Sequence, residues 1–214
     1  MLSDYTDRIN KYQKQEYEAF LKQKKVLDAW QFLHSSLLYF NYALITQRLF
    51  EDASAKCTEE SRNPLYNNIQ VLGWNYPANV LLNKFALEWI THISNSIDCI
   101  LQYTNATCSR HKYIALLYRL RSKLVHELNP LGTPIEFISN VPSISLRTEY
   151  GPKKEDGTRE IHRQMWTLNF PRKYIYDLTK EVIFHRIDTC EEQGILPFSL
   201  SNEPRKCKLS WYDK

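Results

Sequence analysis

The stretch from Asp4 to Ala55 carries neither glycine nor proline, and its apolar residues recur at helical spacing through Ile9, Tyr12, Phe20 and Leu27, then Trp30, Leu33, Leu37, Leu44 and Phe50. Nothing in it breaks an i to i+4 backbone ladder, so the run reads as α-helix. It is too long for one ordinary helix. A break between Gln23 and Asp28 predicts two helices, the first more polar and the second more deeply buried; one long bent helix is the alternative.

Residues 58–79 contain Asn63-Pro64, Asn67-Asn68, Gly73 and Pro77, which read as a connecting loop with room for one helical turn, pinned to the core by Trp74 and Tyr76. A third helix is expected over 78–103, with Leu82, Phe85, Trp89, Ile93, Ile97 and Ile100 on one stripe, closed by Asn105-Ala106-Thr107. A fourth starts at Ser109 as N-cap and runs to Leu128 through Tyr113, Leu117, Leu120 and Leu124, stopped by Asn129-Pro130. Beyond Pro130 the pattern changes to strand-like alternation over 143–150. A charged loop from Gly151 to Thr158 follows, and 161–168 can pair back as a hairpin. Pro171 suits the first position of a fifth helix through Ile175, Leu178, Val182 and Ile183, ending before Gly194. The basic stretch 204–214 is either an ordered strap or a loose tail.

A chain of 214 residues, 43% of them hydrophobic, can bury one sizeable core, and its 5 glycines and 9 prolines leave little room for low complexity. The expectation is a mainly α, up-and-down helical bundle forming a single domain over 1–214. Core helices span 4–130, an inserted β-hairpin 131–170, an extra C-terminal helix 171–193 and a tail 194–214. Apolar runs are short and the N-terminus lacks a basic, then hydrophobic, pattern, so a cytoplasmic protein without membrane association is expected. Cys57, Cys99, Cys108, Cys190 and Cys207 are scattered, odd in number and without any Cys-x-x-Cys, which predicts reduced thiols, no zinc site and no other metal or cofactor.

The net charge of +4 permits nucleic-acid binding without demanding it. The local excess is more telling: Arg110, His111, Lys112, Arg119, Arg121 and Lys123 surround one helix with no acid before Glu127. A solvated basic face is the plain alternative. Within that helix, Arg121, Ser122 and His126 combine a group that stabilises charge on a phosphorane with one that moves protons near neutral pH, the two functions that metal-free RNA cleavage requires. The bland reading is an Arg favoured by the helix C-terminal dipole and a His capping the last carbonyls.

A helical bundle whose late helix ends in Arg-polar-x-x-x-His resembles the HEPN superfamily, the higher eukaryotes and prokaryotes nucleotide-binding domains. There an Arg, four to six residues and a His form the signature, usually with Asn, Asp or His after the Arg. Here the match is Arg121 through His126, with Ser122 in the polar slot, and it covers the bundle from Trp30 to Pro130. The resemblance implies a metal-independent endoribonuclease acting as a homodimer with a composite active site. His126 would transfer the proton of the ribose 2′-OH or of the leaving 5′-oxygen, Arg121 would stabilise the phosphoryl charge, and Ser122 would orient a phosphate oxygen or the imidazole. Arg119, Lys123, Asp98 and Asn129 would contact substrate or orient the site, with Asn95 and Glu88 also within the third helix. A toxin or phage-defence role with an inhibitory protein partner is implied for such a ribonuclease. Some relatives carry a Tyr two residues after the motif His, where this chain has Leu128, which counts against regulation through that Tyr. The alternative is a catalytically inactive HEPN-like module that binds RNA, nucleotide or protein.

Helix geometry adds an independent constraint. At about 100° per residue, Arg121 and His126 lie about 140° apart around an unbroken helix and about 7.5 Å apart along it, whereas Ser122 and His126 share a face with Arg119. Convergence within one subunit therefore needs the helix to end before His126 or the Arg side chain to bend round; a two-fold dimer is the other solution. In that case the apolar face near Leu117, Leu124 and Leu128 is expected to divide between core and interface.

Elsewhere, His34 and His92 read as hydrogen-bonded core or boundary residues, and His162, Arg163, His185 and Arg186 as surface. The 14 Tyr and 5 Trp could stack unpaired bases, though at helical spacing most belong to a core. No Gly-rich phosphate loop, Gly-x-Ser-x-Gly or His-Glu-x-x-His is present.

Overall fold

A computed structural model describes residues 2–23, 27–60, 68–71, 73–104, 112–126, 135–138, 141–150, 154–158, 161–170, 174–194 and 196. These residues form a mainly helical fold with small antiparallel sheets: α1 (Leu2–Gln23), α2 (Leu27–Glu60), β1 (Asn68–Val71), β2 (Trp74–Pro77), α3 (Ala78–Tyr103), α4 (Lys112–His126), β3 (Ile135–Ile138), β4 (Val141–Tyr150), β5 (His162–Asn169) and α5 (Tyr174–Glu192). The expected N-terminal pair is present, with α2 running to Glu60 beyond the anticipated end at Ala55, and α3 has the anticipated extent. Ser109, Asn129, Leu128, Pro171 and the basic tail lie outside the described residues.

The chain divides into two compact units. One comprises Met1–Tyr42, His92–His111 and Tyr176–Lys214; the other comprises Ala43–Thr91 and Lys112–Ile175. In the first, α1 buries Tyr5, Ile9, Tyr12, Glu16 and Ala19, a run spaced by fours and threes as a helix stripe requires. Leu33, Ser36 and Phe40 of α2, Ile93, Ile97 and Ile100 of α3, and Ile183, Ile187 and Cys190 of α5 complete its core. At its centre the Tyr5 hydroxyl lies 2.6 Å from Ser36 Oγ and 2.9 Å from Ser96 Oγ, while each serine hydroxyl donates to the other's backbone carbonyl at 2.9 Å. The hydroxyls that three helices bury thus satisfy one another, which removes a desolvation cost. Burial pushes the Tyr5 phenol up to about 12 despite those two hydrogen bonds. Tyr103 donates to the fully buried Glu16 at 2.7 Å. On the rim Arg8 pairs with Asp188 and with Glu191 at 3.0 Å, and lies 5.2 Å from the centroid of the Phe184 ring.

The second unit holds the sheets. β4 is central in a three-stranded antiparallel sheet of order β3-β4-β5, with Ile144 opposite both Ile135 and Leu168. All three of these side chains are buried. The anticipated hairpin is therefore β4–β5, and β3 is an additional strand. At the loop tip Gly157 has φ 84°, and Asp156 accepts from the Thr158 amide at 2.8 Å and its hydroxyl at 2.6 Å, which lowers its carboxyl below the ordinary value. Phe170, just past β5, meets Phe50 edge-on at 5.3 Å and Trp89 at 5.2 Å.

Residues 68–77 differ from the expected pinned loop. β1 and β2 form a hairpin with Val71 opposite Trp74, turned through Gly73 at φ 82°. Trp74 is 71% and Tyr76 41% exposed, so neither anchors the segment; among its described side chains Ile69 is the buried one. Three side chains were expected elsewhere. Arg186 is buried and His185 half-buried rather than on the surface, and His34 is exposed rather than core or boundary. α2 also turns Leu38, Tyr42, Ile45 and Leu49 outward, spaced four, three and four residues apart.

Candidate functional site

The helix that carries the Arg-to-His segment is built on four leucines. Leu116, Leu117, Leu120 and Leu124 of α4 are buried, which places the core within an arc of about 100° around the helix, and α4 packs against β4. Leu117 and Leu124 therefore belong to the core part of that apolar face, and Leu128, the third residue expected there, lies outside the described residues. Arg119, Arg121, Ser122 and Val125 are exposed and Lys123 is half-buried.

Because α4 continues unbroken through His126, the helix does not end ahead of the imidazole-bearing residue. By helical position residues 121 and 126 fall on opposite flanks of the outward half, about 140° apart, with Val125 and Ser122 between them. Of the three routes to convergence, an early helix end is removed; a bent Arg121 side chain and a second subunit remain. The side chain of His126 and all of Asn129 lie outside the described residues.

α4 contains no acidic residue, and its cations gather toward the C-terminal end, where the helix dipole favours them. Its last turn has a tether that local sequence patterns do not reveal: Asn83 of α3 donates its amide to the Leu124 carbonyl at 3.4 Å. Carbonyls in a helix's last turn lack intrahelical partners, so this amide, reaching over from a neighbouring helix, caps the end of α4. The Asn83 carbonyl oxygen is buried and accepts no hydrogen bond among the described residues.

The residues considered from α3 separate. Glu88 is paired with Lys84 at 2.5 Å, an i, i+4 surface pair. Asp98 and Asn95 are half-buried in the unit that does not contain α4. Beside Asp98, burial and then that carboxylate push the Cys99 thiol up to about 11, which keeps it protonated near neutral pH. Neither Cys99 nor Cys190 forms a disulfide. His162 and Arg163 are exposed on β5. His92 lies against Tyr39 and Tyr42, with ring centroids at 6.2 and 5.5 Å. Among the described residues no helix is long and apolar enough to cross a membrane, and no three His, Cys, Asp or Glu side chains group as metal ligands.

No family model, no curated protein and no solved structure matches this sequence.

Proposed function

We propose that this protein is a HEPN-like, metal-independent endoribonuclease that works as a homodimer, with Arg121 and His126 as paired catalytic groups and Ser122 positioning a phosphate oxygen. The observation that carries the reading is the exposure of Arg121 and Ser122 on an acid-free helix that extends through His126, while Leu116, Leu117, Leu120 and Leu124 of the same helix are buried. Cleavage begins when the imidazole takes the proton of the ribose 2′-hydroxyl. The oxygen then attacks the adjacent phosphorus, the guanidinium stabilises the added negative charge, and the 5′-oxygen departs with the proton that the imidazolium gives back, leaving a 2′,3′-cyclic phosphate. The substrate is RNA because DNA lacks that nucleophile. Arg119 and Lys123 contribute sequence-independent attraction for phosphates.

Pairing of two subunits is favoured by the wide angle between residues 121 and 126 on one helix, since a second copy can supply the missing partner. Within this reading the protein acts as a toxin or phage-defence effector held in check by an inhibitory protein.

The deciding experiment incubates purified protein with single-stranded RNA in EDTA. Wild type should degrade it, and His126→Ala and Arg121→Ala should each lower the rate by about 100-fold or more with the fold intact. Equal behaviour of wild type and variants sinks the reading. A second reading, a catalytically silent RNA-binding module, is favoured by that same 140° separation; it predicts binding without cleavage, unaffected by His126→Ala.

A further inference from the structure

Three aromatic rings lie in a row on the surface of the unit that contains α1. The Trp30 and His34 rings of α2 are stacked, 5.3 Å between centroids and 19° between planes, and Tyr17 of α1 leans on Trp30 at 5.6 Å and 44°. They are not core: Tyr17 and His34 are exposed and Trp30 is half-buried. Gln13 and His34 Nδ1 are hydrogen-bonded at 3.0 Å, which fixes the imidazole plane against the indole. With the Gln13 amide as donor, Nδ1 is the acceptor and the neutral ring carries its proton on Nε2. The row is thus ordered before any ligand arrives, so stacking a further ring on it costs little additional side-chain entropy.

Beside the rings is an open groove of about 300 Å³ lined by Asn10, Gln13, Lys14, Tyr17 and Trp30. Such a volume is at the low end for small-molecule sites and suits one planar ring system. Its chemistry restricts the occupant. Two side-chain amides, Asn10 and Gln13, can read the donors and acceptors on a heterocycle's edge, a match that a purely apolar guest does not offer. Lys14, one helical turn before Tyr17, favours an anion close to the ring. A quaternary ammonium, the other common guest of aromatic surfaces, would meet that ammonium and finds no carboxylate among the described lining residues.

We propose that Tyr17, Trp30 and His34, with Lys14, Asn10 and Gln13, form a nucleotide-binding platform that stacks an unpaired base and pairs its phosphate with Lys14. The base can come from single-stranded RNA or from a free nucleotide; both present the same ring and phosphate. The site shares no residue with the Arg121–His126 segment and stands whether or not that segment cleaves RNA.

The test measures binding of labelled oligoadenylate RNA, AMP and adenosine to the intact protein bearing Arg121→Ala, so that cleavage cannot consume the probe. Trp30→Ala should weaken binding of whichever of RNA and AMP is bound by about 10-fold or more. Lys14→Glu, a surface change that spares the fold, should weaken RNA or AMP but leave adenosine unchanged. AMP bound as tightly as RNA identifies the free nucleotide as the guest, and RNA bound alone identifies the strand. If the parent protein binds neither, or if both variants bind as the parent does, the platform assignment is overturned. Loss of cleavage in Arg121→Ala with platform binding intact separates this result from the ribonuclease reading.

Discussion

Asn83 and Leu124, 41 residues apart, meet where the side-chain amide of one reaches the backbone carbonyl of the other at 3.4 Å. A residue of α3 thereby holds the final turn of α4, two positions from His126. Replacing it with Ala should destabilise the protein by about 1 kcal/mol in urea denaturation. Amide exchange should be fastest to rise in the last turn of α4. If α4 protection is unchanged, the tether has no role in ordering the motif.

Neighbouring positions on α4 should respond in opposite ways. Leu120 is completely buried, so Leu120→Ala should cost about 2–5 kcal/mol through lost transfer energy and the cavity left behind. Arg121→Ala, on an exposed side chain, should fall within about 0.5 kcal/mol of wild type while removing RNA cleavage. Denaturation midpoints for the two variants, taken with the RNA assay, check both halves. A large stability loss in Arg121→Ala would mean the guanidinium serves the fold instead.

The hydroxyl knot of Tyr5, Ser36 and Ser96 should make itself felt in strong alkali. An unfolded tyrosine loses its proton around pH 10.0, whereas the buried Tyr5 holds it to about 12. Its folded pKa is the higher one, so its contribution is intact below pH 10 and is lost as pH rises through 12. Across that window the loss is about 3 kcal/mol, two pH units at about 1.4 kcal/mol each. Tyr5→Phe should cost about 1 kcal/mol at pH 7 yet flatten the alkaline decline. Thermal unfolding of both proteins between pH 8 and 12 compares the slopes; parallel curves would remove Tyr5 as the cause.

Trp74 offers a direct check on the hairpin of β1 and β2. Since it is largely exposed, Trp74→Ser should leave stability within about 0.5 kcal/mol and delete a red-shifted, readily quenched component of the tryptophan emission. A drop of several kcal/mol would mean the indole is packed in solution.

Periodicity made the helices legible because each buries a long stripe: six apolar positions on α3 predict its length to both ends. β4 and β5 were legible for the same reason at a period of two. β1 and β3 were not, because four residues hold only one or two inward positions, and β2 holds none: Trp74 through Pro77 are all exposed. The dipeptide between β1 and β2, Leu72-Gly73, also lacks the Asn-Gly signal of a hairpin. In the candidate site, the outward placement of Arg121 and Ser122 follows from the leucines around them. The hold of Asn83 on Leu124 does not, since it depends on how α3 and α4 approach and no local pattern encodes that. The buried Arg186 and the surface stack of Trp30 and His34 escaped for a related reason: residue type gives an average environment, and these side chains depart from theirs.

The leucine frame of α4 also limits how the gene can vary. One codon gained or lost between Leu120 and Leu124 would turn everything downstream by about 100°, swinging Leu124 out of the core and driving a neighbour into its seat. Substitution at 121 or 122 carries no such consequence. The stretch from Arg121 to Leu124, the greater part of the way to His126, is therefore locked in length by packing, independently of any reaction Arg121 and His126 perform.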